Sequence, residues 1–172
     1  MPLDYRLIND PLAPIGHLSK RDQRRVCELR TAYSLAMARS AGRPMTSPED
    51  VYALLAPAVK GLEVEQAWLI VNSTGQRAIC EPIVVHRGTR DSCDMDPRAI
   101  LQHAFRYPTA QALILAHNHP SMNDRPSTAD MSVTRTVAAA CRAVGFTLAD
   151  HLVCTELGFC SMRREYTSLF QG

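Results

Sequence analysis

From Ser19 onward apolar residues recur at helical spacing, at Val26, Leu29, Tyr33 and Met37, with Ser19 placed to cap the first turn and Asp22 at its third position. The spacing predicts a helix over 20–40. Gly42, Arg43 and Pro44 break it. Ser47-Pro48-Glu49-Asp50 then reads as cap, first-turn proline and two acids favoured by the helix dipole, so a second helix starts at Pro48. Val51, Leu54 and Leu55 form its apolar stripe, and Pro57 is expected to end or distort its last turn. Beyond residue 65 the period changes: 67–71 is an apolar run, Asn72-Ser73-Thr74-Gly75 has turn chemistry, and 78–85 resumes as a strand, making a hairpin. Asp96-Pro97 opens a helix with Ile100, Leu101, Ala104 and Phe105 on one face, stopped by Pro108. Residues 112–116 are apolar at every position, as expected of a central strand covered on both faces. A long helix over 127–144 closes at Gly145, and a strand over 146–153 and a short one near Phe159 follow.

The order β-β-α-β-α-β-β predicts an α/β fold, a mixed sheet flanked by helices. With 172 residues, 46% hydrophobic and 21% charged, the chain reads as one ordinary globular domain, which excludes disordered and coiled-coil classes. The longest purely apolar run is short, and Asp, Arg and Pro recur through the first thirty residues, so neither a membrane span nor a signal peptide is expected and a cytoplasmic setting is. Six cysteines, Cys27, Cys80, Cys93, Cys141, Cys154 and Cys160, lie scattered with no C-x-x-C pair, which favours buried thiols over disulfides or a thiolate knuckle. The net charge of +2 is too small to argue for nucleic acid. One local stripe stands out, Lys20, Arg21, Arg24, Arg25, Arg30 and Arg39 against Asp22 and Glu28. Such a stripe is ordinarily a solvated helix face, though it could meet phosphate or an acidic partner.

The strongest chemical signal is Ala116-His117-Asn118-His119-Pro120 at the exit of the central strand, followed by Ser127 and Asp130 at the next helix start. Residues two apart on a strand point the same way about 6.7 Å apart, so both imidazoles can converge on one metal ion. A carboxylate in the first turn of the helix can supply a third ligand and leave one position open, the arrangement of hydrolytic rather than structural zinc. Ser127-x-x-Asp130 is equally a helix capping box, and only its coincidence with the His-x-His pair lifts it above that. Hydrolysis also needs a base. Glu81 falls on the face of Ile79, Ile83 and Val85, where a carboxylate needs a partner such as an activated water; with Pro82 beside it, an exposed edge position explains it as well.

His117-x-His119-x7-Ser127-x2-Asp130 with an upstream Glu resembles the JAMM motif of JAB/MPN metallopeptidases. His117-Asn118-His119-Pro120-Ser121, Pro126-Ser127-x-x-Asp130 and Leu148-Ala149-Asp150-His151-Leu152-Val153 resemble the RadC branch more narrowly, over about 46–162 and including His86-Arg87-Gly88-Thr89 and Pro97-Arg98. The resemblance implies a cytidine-deaminase-like JAB/MPN sandwich over 46–172, preceded by a basic helical segment, 1–45, that is a remnant of a longer N-terminal region. It implies one zinc held by His117, His119 and Asp130, with Glu81 as general acid/base and Ser127 steadying the tetrahedral intermediate. The implied function is a zinc-dependent metallopeptidase or isopeptidase acting on a protein or peptide, with weak or no nucleic-acid binding. The alternative is a DNA- or protein-binding module associated with DNA repair that keeps zinc for stability.

Relatives usually carry Ser-Gly after His-Asn-His-Pro, whereas here Ser121 precedes Met122-Asn123-Asp124, so a glycine-dependent turn has changed. The motif assigns no role to Asp150 or His151. Zinc nucleoside deaminases need His-x-Glu and Pro-Cys-x-x-Cys, which do not occur here. A two-His-one-carboxylate iron oxygenase would use the same ligand types, but a base and a serine beside the metal favour hydrolysis.

Overall fold

The computed structural model describes residues 14–38, 41–88 and 95–171, the side chains of 30–38 excepted. Helix α1 (Lys20–Ala38) begins where the cap predicts, with the Asp22 amide donating to Ser19 Oγ at 3.2 Å. Val26 is buried, but Leu29 is exposed, so the expected apolar stripe is broken there; Tyr33 and Met37 lie outside the described side chains. Lys20, Arg21, Arg24 and Arg25 are exposed. Helix α2 (Pro48–Val59) carries a full capping box between Ser47 and Asp50. It also runs through Pro57. Burial of Val51, Leu54, Leu55, Ala58 and Val59 outweighs the one hydrogen bond the proline cannot donate.

Five strands form one sheet in the order β2-β1-β3-β4-β5. Strand β1 (Gln66–Asn72) runs antiparallel to both β2 (Ile83–Arg87) and β3 (Ala112–Asn118), β3 and β4 (Thr147–Cys154) are parallel, and β5 (Phe159–Ser161) returns antiparallel beside β4. Helix α3 (Pro97–Ala104) precedes β3, and α4 (Thr128–Ala143) is the crossover that parallel β3 and β4 require. A short α5 (Met162–Glu165) and a 3-10 turn over Thr167–Phe170, neither marked by the periodicity, close the described chain.

Alternation along the strands gives the sheet two apolar faces. Ala67, Leu69, Val71, Leu113, Leu115 and Val153 pack with Ile100 of α3 and Val137, Ala138 and Cys141 of α4. Trp68, Ile70, Ile114, Ala116, Leu152 and Cys154 pack with the buried stripe of α2. The result is the mixed α/β sandwich expected, with helices on both faces.

One strand boundary is corrected. The strand expected over 78–85 starts only at Ile83. Ala78 makes an isolated bridge to Asn72, residues 79–81 bend, and Pro82 has no N–H to add to the ladder. No disulfide occurs among the described residues. Cys141 and Cys154 are buried, and burial pushes the Cys154 thiol up to about 12, but Cys27 is exposed, so burial does not hold for all; Cys93 lies outside the described residues.

Candidate metal centre

Parallel β3 and β4 end on the same edge of the sheet, and antiparallel β1 starts there. His117 pairs with Ala67 on one side and Val153 on the other. The ladder continues one residue past β3, since the His119 amide donates to the Cys154 carbonyl at 2.9 Å, and both histidines are thereby held at the carboxyl ends of the central strands. The chain then turns at Pro120. The Met122 amide donates to the His119 carbonyl at 3.2 Å, with Met122 at φ 62°, so methionine here occupies the left-handed region that favours glycine.

Helix α4 aims its N-terminus at this edge. Ser127 is its N-cap and accepts the Asp130 amide, while Asp130 Oδ2 accepts the Ser127 amide at 2.7 Å. The capping box and the ligand position are therefore one device, since the cap fixes the carboxylate that faces the histidines. One donor atom each from His117, His119 and Asp130 lies within 4.8 Å of the other two. His117 Nε2 is 3.0 Å from His119 Nε2 and 3.2 Å from Asp130 Oδ1, and His119 Nε2 is 3.5 Å from Asp130 Oδ2. A tetrahedral ion with bonds of about 2.1 Å sets its ligands about 3.4 Å apart, so the cluster can hold a metal ion.

The electrostatics agree. Burial alone would raise the Asp130 carboxyl, but the imidazoles of His117 and His119, which can pair with it when they carry a proton on Nε2, override it and hold Asp130 well below the usual carboxylate range. Burial likewise opposes protonation of His119, but Asp130 and the Asn123 carbonyl outweigh it and raise the ring's pKa. The Asn123 carbonyl is an acceptor only and lies 2.7 Å from His119 Nδ1, so Nδ1 carries the hydrogen and the neutral ring presents its Nε2 lone pair to the site.

The structure does not bring Glu81 to this cluster. Glu81 is exposed in the bend before β2. Extending the pairing of Leu69 with Ile83 places it level with Val71, roughly 13 Å along the strand from Ala67, the residue beside His117. Besides Asp130, the carboxylate beside the cluster is Glu65. Its Oε1 is 4.0 Å from His119 Nε2, and its side chain is 12% exposed. Asn118, between the two histidines, brackets it from the sheet's other face: its Oδ1 accepts the Gln66 amide at 2.8 Å and its Nδ2 donates to the Val64 carbonyl at 3.0 Å. Two further buried groups behind the cluster had no assigned role. His151 Nε2 lies 2.9 Å from His117 Nδ1, and burial, then His117, keep its pKa well below the ordinary histidine value. Asp150 anchors β4 to the segment around β5. A groove lined by Met45, Asn72, Ile114, Thr147 and Asp150 opens away from this edge and contains none of the cluster's residues.

A family model, the RadC-like JAB domain, matches residues 45–167. The chain belongs to that family. This RadC-like chain is similar to a UPF0758 protein of Symbiobacterium thermophilum, 33% identical over 143 residues that cover 81% of this chain and 60% of the relative. It is similar to another from Rubrobacter xylanophilus, 36% identical over 136 residues covering 78% and 59%. A UPF0758 protein of Chromobacterium violaceum is 36% identical over 114 residues, covering 66% and 50%. The RadC-like chain thus spans about three-fifths or less of these curated relatives. Among the described residues, no helix is long and apolar enough to cross a membrane.

Proposed function

We propose that the RadC-like domain is a zinc-dependent hydrolase that cleaves an amide bond in a protein or peptide. The observation that carries this reading is the convergence of His117, His119 and Asp130: the two Nε2 atoms lie 3.0 Å apart, and the Asp130 oxygens lie 3.2 Å (Oδ1) from His117 Nε2 and 3.5 Å (Oδ2) from His119 Nε2, separations of the size that ligands of one tetrahedral ion have. Two imidazoles and a carboxylate suit zinc, and three protein ligands leave the fourth position open. Zinc held there supplies Lewis acidity, polarising a scissile carbonyl and acidifying water.

The remaining work falls to the chain. Glu65, beside His119 and mostly shielded from solvent, accepts the proton of the attacking water and returns it to the leaving amine. That role was expected of Glu81, whose position at the far end of β1 favours the surface reading instead. Ser127 Oγ accepts the Asp130 amide, which leaves its own hydrogen to donate to the oxyanion of the tetrahedral intermediate.

The test is incubation of zinc-loaded protein with a proteome-derived peptide and isopeptide library, read by mass spectrometry of new termini. Glu65→Gln should lower cleavage about 10²-fold or more with zinc retained, and Glu81→Gln should leave it unchanged. Equal turnover in Glu65→Gln and wild type would remove the base from the mechanism. A second reading, a DNA- or protein-binding module, is favoured by the exposed Lys20, Arg21, Arg24 and Arg25 of α1. Salt-sensitive duplex affinity that survives Glu65→Gln, together with no cleavage by wild type, would promote it.

A further inference from the structure

The ring of His117 is fully buried, and its outer nitrogen does not meet a carbonyl or carboxylate, the usual partners that fix a ligand histidine. It meets another imidazole. His117 Nδ1 is 2.9 Å from His151 Nε2, and either ring can be the donor across that contact. The pair alone therefore leaves the tautomer of His117 undecided. If the hydrogen sits on Nδ1, the Nε2 lone pair faces the cluster; if it sits on Nε2, the same atom points a hydrogen at it.

The next link decides. His151 Nδ1 is 2.7 Å from Thr134 Oγ1, and that hydroxyl is also 2.5 Å from the Asp130 carbonyl one helical turn back. A carbonyl cannot donate, and two oxygens this close without a hydrogen between them repel strongly, so the single Thr134 hydrogen lies on the Asp130 side. The Met162 sulfur at 3.5 Å is a much weaker claimant for it. Thr134 must then accept from His151, which places the His151 hydrogen on Nδ1 and leaves its Nε2 as acceptor. His117 in turn must donate from Nδ1. Each step has one solution once the previous one is fixed, and Thr134, His151 and His117 are all 0% exposed, so water cannot substitute for a link.

We propose that Thr134 and His151 are positioning residues that lock His117 in the tautomer with its Nε2 lone pair facing the metal position. The relay starts from the backbone carbonyl of Asp130 and ends on the ring of His117, so helix α4 presents one ligand by its side chain and orients another through its main chain. Helix α4 and strand β3 are thereby tied into one unit. This inference rests on the proposed metal reading.

The experiment compares wild type, Thr134→Val, Thr134→Ser, His151→Phe, His151→Gln and His119→Ala by two measurements. Nitrogen-15 NMR of the histidine rings in metal-free protein reads the His117 tautomer, and competition with a chromophoric chelator reads zinc affinity. Wild type should show hydrogen on His117 Nδ1. Thr134→Val keeps the shape but lets the relay invert, so His117 should shift toward hydrogen on Nε2 and zinc affinity should fall about 10- to 100-fold. Thr134→Ser should restore both. His151→Gln, whose side-chain oxygen can accept from His117, should retain the tautomer and bind more tightly than His151→Phe, which covers the case that Thr134→Val fails to fold. Wild-type tautomer and affinity in Thr134→Val and His151→Phe, with zinc lost in His119→Ala, would overturn the relay and leave the metal reading standing. Wild type that takes up no zinc would overturn the metal reading and, with it, the purpose assigned to the relay.

Discussion

Asp150 sits on β4 beside His151, 7% exposed, and each of its oxygens is committed. Oδ1 accepts the His151 amide at 2.7 Å and the Arg163 amide at 2.9 Å, and Oδ2 accepts the Ser161 hydroxyl at 2.6 Å. Ser161 in turn caps α5, accepting the Arg164 amide at 3.2 Å. Asp150→Ala leaves three donors without their acceptor, the buried His151 amide and Ser161 hydroxyl and the part-buried Arg163 amide. At about 1–3 kcal/mol for each stranded donor, discounted because the losses are not additive, the expected cost is about 2–4 kcal/mol. A domain of this size loses about 2–4 °C of melting temperature per kcal/mol, so the drop should be roughly 5–15 °C. Asp150→Asn is different in kind. Its oxygen can keep both amides, and its nitrogen can donate to Ser161 Oγ, so the cost should stay under about 1.5 kcal/mol.

Burial raises the Asp150 carboxyl above its ordinary value near 3.8, against the opposing pull of Ser161, Arg163 and His151. Between 3.8 and that raised value the folded chain holds a proton that the unfolded chain has released, so this group's stabilising contribution is present at acid pH and lost as pH rises. The asparagine variant has no such term. The gap between wild type and Asp150→Asn should therefore narrow as pH rises from acid toward neutral. Urea unfolding followed by fluorescence of Trp68, the single tryptophan and fully buried, measures all three proteins at several pH values. Asp150→Asn as damaging as Asp150→Ala, or Asp150→Ala within about 0.5 kcal/mol of wild type, would refute the reasoning.

Zinc at 100 times its dissociation constant should stabilise wild type by about 2.7 kcal/mol and raise the melting temperature by roughly 5–11 °C, with no rise in His119→Ala. The rise should shrink as pH falls, because the raised pKa of His119 lets protons compete for Nε2 sooner, and calorimetry at two pH values checks it. At Met122, φ 62° penalises any β-branched residue, so Met122→Val should cost about 1–3 kcal/mol while Met122→Gly is neutral or stabilising in the same melts. Asn118→Ala removes the acceptor of the Gln66 amide, whose hydrogen exchange should speed by at least about tenfold while exchange at Leu69 is unchanged.

Much of this molecule was legible in local sequence because local rules write it. Ser47 and Asp50, and Ser127 and Asp130, mark helix starts by the hydrogen bonds they make within one turn, and the strand order along the chain follows from the change of period after residue 65. His117 and His119 face one way because a strand alternates, and Asp130 meets them because the crossover helix must begin near the end of the strand it leaves. What periodicity does not encode is which strand lies beside which, and in what register. The apolar alternation around Glu81 marked it as the carboxylate worth a role, yet the sheet order puts β1, not β2, next to β3. The pairing of Ala67 with His117 carries Glu65 to the level of His119, and the same antiparallel geometry leaves Glu81 at the other end of β1. Asn118, Thr134 and His151 were beyond local reading for the same reason. Their partners lie 52, 17 and 34 residues away, and only the closed sheet and its packed helix bring those atoms within hydrogen-bond range.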